Sequence, residues 1–111
     1  SQLGDVWLGN FNGTNWTQQA EVTGWGGRYD MAVVVALDGS VLIIAGVTAP
    51  GMTLKGDVWR SPPEARGSYW TQLTAATGWS PRISTAVLLT KGLLAGRTLL
   101  MGGYSFIGGA R

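Results

Sequence analysis

The sequence predicts an all-β protein made of two copies of one unit, each unit a set of four antiparallel strands. Three observations predict it. The 111 residues include 18 glycines and four prolines, with valine, leucine, threonine and tryptophan prominent, which is the composition of many short strands joined by tight turns. No stretch sustains a helical period. Gly4-Asp5-Val6-Trp7 recurs as Gly56-Asp57-Val58-Trp59, and self-similarity at a fixed period marks a repeat architecture.

The two copies then stay in step. Trp16-Thr17-Gln18 matches Trp70-Thr71-Gln72, Thr23-Gly24-Trp25 matches Thr77-Gly78-Trp79, and Arg28 matches Arg82. Further on, residues 40–46 correspond to residues 97–103, the offset growing by three residues in the turn over 91–96. All six tryptophans fall into three repeat-equivalent pairs. Offsets that change only between motifs indicate loop insertions. The whole chain, 1–111, therefore reads as one two-repeat unit, with repeat 1 over about 4–55 and repeat 2 over about 56–111.

Four strands are expected in each copy, bounded by turn residues. In the first they cover 5–10, 15–20, 30–37 and 40–46, and in the second 57–61, 69–74, 84–90 and 97–103. Residues 31–37 and 41–45 are apolar without alternation, as for inner strands buried on both faces. Residues 57–61 and 69–74 alternate large apolar with polar side chains, which fits strands nearer a solvated rim. Four strands per repeat of about 50 residues suits a propeller blade.

An Arg leading a strand of small and apolar residues, a turn, an apolar strand ending in glycine, then Asp-Val-Trp and a further Trp resembles the kelch motif. Leu100-Met101-Gly102-Gly103 keeps the paired glycines of that motif, whereas Ala45-Gly46-Val47 keeps one. The His that often follows the Arg in kelch repeats has no counterpart, because the chain has no histidine. Residues 61–70 also resemble a degraded Asp-box turn, with the acidic position displaced to Glu64. The resemblance implies β-propeller blades of four-stranded antiparallel sheets. In kelch order a blade starts at the Arg-led strand, so one complete blade and two half-blades are expected in this chain.

Two blades do not close a propeller, which usually has about four to eight. Joining Gly103 through Arg111 to Ser1 through Asp5 would make a loop of 13 steps, close to the 11 steps from Gly46 to Asp57. Copies of the chain itself, associating head to tail, or adjacent propeller blades in a longer array, are therefore the expected partners.

The resemblance places the loop before the inner strand at one mouth of a propeller channel, where protein or glycan ligands dock. Trp25, Arg28, Tyr29 and Asp30, with Trp79, Arg82 and Ser84 from the second copy, are the candidate contacts. A structural alternative stands beside this one: an Arg bonding loop carbonyls to tie neighbouring strands together. For Trp7, Trp16, Trp59 and Trp70, strict repetition favours packing between sheets over ligand stacking. Asn12 and Asn15 open two N-glycosylation sequons, which if occupied would place the chain in a secreted or cell-surface setting. Asn12-Gly13 is equally a hairpin turn.

Several function classes are disfavoured. Without histidine or cysteine there is no Ser-His triad, thiolate nucleophile or soft metal site, so neither an enzyme nor a cofactor is expected. The eight basic residues are scattered and the net charge is +2, without the clustered stripe that tracks nucleic acid. The longest apolar run, over 31–37, is far short of a membrane span. The expected function is a non-catalytic kelch-like module for protein–protein interaction or self-assembly. The alternatives are a glycan-binding propeller lectin using Trp and Arg of inter-blade loops, and a remnant of a propeller enzyme.

Overall fold

The computed structural model describes residues 3–21, 23–48, 52–83, 85–90 and 96–105. Among these every regular element is a β-strand except one short 3₁₀ turn. Strands β1 (Val6–Gly9) and β2 (Trp16–Ala20) form an antiparallel hairpin. A four-stranded antiparallel sheet then runs in sequence order through β4 (Ala32–Val35), β5 (Val41–Ile44), β8 (Val58–Ser61) and β9 (Thr71–Thr74). A second hairpin joins β10 (Ala86–Leu89) to β11 (Thr98–Met101). Each of the eight expected strands contains one of these, and no sheet closes on itself among the described residues.

Three further strands lie outside that expectation. Strands β3 (Arg28–Tyr29), β6 (Val47–Thr48) and β7 (Thr53–Leu54) make a small antiparallel sheet of their own. Two bends create it. Asp30 adopts φ 59 and separates β3 from β4, while Ala45 at φ 64 and Gly46 at φ 106 separate β5 from β6. The strand expected over 30–37 thus begins only at Ala32. Gly46 is required at its bend, because a Cβ there would meet Met31 Cβ and the Tyr29 carbonyl, each at 3.1 Å.

The two hairpins pack on opposite faces of the four-stranded sheet. Alternation puts Ala32, Val34, Leu42, Ile44 and Val58 on one face, where Val87 and Leu100 of the β10–β11 hairpin complete the core. The opposite face carries Val33, Val41 and Ile43, which the β1–β2 hairpin covers across a groove of about 580 Å³. For β4 this corrects the expectation of burial on both faces, whereas in β5 Ile43 and Ile44, on opposite faces, are each 4% exposed. Val33, which lines the groove, and Val35 remain 52% and 57% exposed.

The turns follow local chemistry. Between β1 and β2, Asn10 accepts a hydrogen bond from the Gly13 amide at 2.9 Å, and its side-chain oxygen accepts the Thr14 amide at 2.9 Å. Gly13 takes the left-handed conformation that such a turn needs, φ 77. Between β8 and β9 the chain makes the 3₁₀ turn Pro63–Ala65. There the buried Ser61 hydroxyl accepts the Gly67 amide at 3.0 Å. Trp70 donates its indole N–H to the Gly67 carbonyl at 3.0 Å, and its repeat equivalent Trp16 does the same to Gly13 at 3.0 Å.

Candidate functional site: the buried arginine clamp and its unfilled equivalent

The strongest polar constellation in the molecule joins Arg28, at the start of β3, to Asp57, just before β8. Arg28 Nη1 donates to Asp57 Oδ1 at 2.8 Å and Nη2 to Oδ2 at 3.1 Å, a fork-on-fork pair. The two side chains are 1% and 3% exposed. The rest of the guanidinium is spent on backbone. Nε and Nη2 donate to the Trp25 carbonyl at 3.1 and 2.6 Å, and Nη1 donates to the Ala45 carbonyl at 2.9 Å. Asp57 in turn accepts the Trp59 indole N–H at 2.9 Å.

Local sequence explains why these groups meet. Ala45 takes a positive φ at the β5–β6 bend, and its carbonyl accepts a bond from the Arg28 side chain. The Asp-Val-Trp order places the Trp59 indole one pleat from Asp57, so that the side chains at i and i+2 share a face. Burial opposes ionisation of Asp57, but hydrogen bonds from Arg28 and Trp59 and the adjacent guanidinium charge outweigh it, holding the carboxyl below its ordinary value of 3.8. The clamp ties β3, the β5–β6 bend and β8 together.

The second repeat holds half of this arrangement. Arg82 Nη1 donates to the Gly102 carbonyl at 2.8 Å, and Gly102 is the repeat equivalent of Ala45. Arg82 lies over the Trp79 ring at 5.7 Å, as Arg28 lies over Trp25 at 6.0 Å. Its remaining contacts are the Ser80 carbonyl and hydroxyl, both at 3.0 Å, and no carboxylate pairs with it among the described residues. The complementary half lies in the first copy. Asp5, equivalent to Asp57, accepts the Trp7 indole N–H at 3.0 Å and has no cationic partner among the described residues.

The other sequence-predicted positions distribute as follows. Trp25 is only 4% exposed and meets Trp70 edge to face at 5.8 Å; its indole nitrogen has no hydrogen-bond partner among the described residues. Tyr29 and Asp30 are exposed at the bend beside Arg28, Trp79 is half-buried, and Ser84 lies outside the described residues. Asn12 and Asn15 are exposed in and beside the β1–β2 turn. With Trp25 and Arg28 both buried, a ligand approaching this bend would meet Tyr29, Asp30 and Trp79. Of the tryptophans expected to pack between sheets, Trp7 and Trp16 are instead 51% and 60% exposed. Sequence reasoning missed Asp57 as the partner of Arg28. Both the Arg and the Asp recur with the repeat, which marks each of them without pairing them.

No group of three or more potential metal-ligating residues occurs among the described residues, and no helix there is long and apolar enough to cross a membrane. Comparison with protein-family models, curated proteins and solved structures returns no match.

Proposed function

We propose that the chain is a non-catalytic kelch-like propeller module whose task is protein–protein interaction or self-assembly, with its half-blades completed head to tail by another copy or by neighbouring repeats. One observation carries this reading. The β10–β11 hairpin is repeat-equivalent to β4–β5, and the β1–β2 hairpin is repeat-equivalent to β8–β9, so the flanking hairpins correspond to the two halves of the central four-stranded sheet. Strands with one unpaired edge are templates for further strands. Sedimentation velocity across a concentration range tests it: mass should rise in whole multiples of the 11.7 kDa chain. A mass fixed at one chain at every concentration would count against self-assembly.

A second reading, a glycan-binding lectin, is favoured by the exposed rings of Trp7 and Trp16, since exposed indoles are good stacking platforms. A glycan array separates the two, with saturable binding lost in Trp16→Ala supporting the lectin.

A further inference from the structure

Three mismatches between the repeats share one solution. Among the described residues, Arg82 holds the carbonyl its equivalent holds but lacks the carboxylate, while Asp5 holds the indole its equivalent holds but lacks the guanidinium. Gly24 is covered by the Trp59 ring, so closely that a Cβ there would lie 2.7 Å from it, whereas the equivalent Gly78 has nothing within 4 Å of that position. Trp7, the equivalent of Trp59, is half exposed. Finally, among the described residues β11 lacks the neighbour that β5 has in β8, and β1 lacks the neighbour that β8 has in β5. Among the described residues the unpaired cation Arg82 and the uncovered seat at Gly78 lie between β9 and β10, and the free edge is that of β11, next to the Gly102 carbonyl that Arg82 bonds. The anion, ring and edge that fit them stand on β1 and the residue before it.

Resting on the self-assembly reading above, we propose that a second copy of this chain fills the Arg82 site, with its Asp5 closing the guanidinium clamp, its Trp7 seated on Gly78 and its β1 paired antiparallel to β11. The register follows from the internal pairing of Val58, Trp59, Arg60 and Ser61 with Ile44, Ile43, Leu42 and Val41. Transferred by the repeat, it sets Val6 opposite Met101, Trp7 opposite Leu100, Leu8 opposite Leu99 and Gly9 opposite Thr98. The contact continues the interface already present inside the chain. It also covers Leu99 and Met101, each 45% exposed, with a strand that brings Val6 and Leu8 to the same face. The contact is heterologous, so copies add head to tail and close into a ring when the rotation per copy divides a full turn.

Charge reversal tests the pairing. Arg82→Asp alone and Asp5→Arg alone each juxtapose like charges at the junction, and each should raise the concentration for half-assembly by roughly 30-fold or more. An equimolar mixture of the two variants restores opposite charges at each junction between unlike chains and should assemble at concentrations well below those that either variant alone needs. Circular dichroism checks that each variant is folded. Because the chain contains no cysteine, a second test is independent of the charges: oxidising a mixture of Leu8→Cys and Leu99→Cys chains should give a covalent dimer, and Leu8→Cys mixed with Leu73→Cys should not. Wild type that assembles while the variants assemble equally well, or a folded mixture that stays monomeric, overturns the Asp5–Arg82 junction and leaves self-assembly standing. Should the variants not fold, the crosslink decides, and its absence in assembled protein overturns the register. Wild type that stays monomeric throughout overturns both readings.

Discussion

Removing the Arg28 side chain is the most informative single perturbation of this fold. Arg28→Ala leaves the Asp57 carboxylate buried without its cation and strips a donor from the carbonyls of Trp25 and Ala45. Breaking a buried pair from one side costs about 3–5 kcal/mol, because the remaining charge keeps its desolvation penalty. A domain of this size has roughly 5–15 kcal/mol in total, so the variant loses about a fifth of its stability or more. At a urea dependence of about 1.5 kcal/mol per molar, the unfolding midpoint should fall by roughly 2–3 M, read by tryptophan fluorescence and far-UV circular dichroism. Arg28→Lys should recover only part of this, since a lysine ammonium cannot span both carboxylate oxygens and the two carbonyls. The exposed pair of Arg60 with Asp38, 3.1 Å apart, is the control, and Arg60→Ala should cost less than about 1 kcal/mol. If Arg28→Ala and Arg60→Ala unfold within about 1 kcal/mol of each other, the clamp is not what holds these strands together.

Other perturbations follow from the same geometry. Asp57 has a folded-state pKa below its unfolded value, so its contribution to stability is present above the ordinary value of 3.8 and is lost as pH falls through the lowered one; urea midpoints should drop with acidification below about pH 4, and Asp57→Asn, less stable at neutral pH, should flatten that dependence. Gly46→Ala introduces a methyl at φ 106 against a carbonyl 3.1 Å away and should cost at least about 1–2 kcal/mol. The adjacent Ala45→Gly should come within about 1 kcal/mol of wild type although Ala45 is fully buried, because relief at φ 64 offsets the lost methyl and the added chain entropy. Ser61→Ala leaves the buried Gly67 amide without its acceptor and should cost about 1–3 kcal/mol in the same denaturation assay.

The eight principal strands were legible because their signals are local: alternation or apolar runs bounded by Gly, Asn, Asp and Pro, read twice over in the two copies. The small β3–β6–β7 sheet was not, since its strands are two residues long and its bends fall at Asp30 and Ala45. Asp tolerates positive φ, but nothing about an alanine announces it. Burial was harder still. The repetition of the tryptophans was visible, yet Trp25 is enclosed and Trp7 open for reasons of tertiary placement: Trp25 meets Trp70, while Trp7 stands beside the open groove between the β1–β2 hairpin and the central sheet. Repetition identified Arg28 and Asp57 separately. Their union required a contact across 29 residues, which no local pattern encodes.

The central claim is that β1 and β11 carry complementary free edges of one interrupted sheet. Hydrogen exchange measured as protein concentration is raised through assembly tests it most directly. The account predicts that amides of Val6–Gly9 and Thr98–Met101 slow together as mass increases, while Val41–Ile44 and Val58–Ser61, already paired within the chain, exchange at rates independent of concentration. Assembly that protects other surfaces and leaves both edge strands unchanged would contradict it.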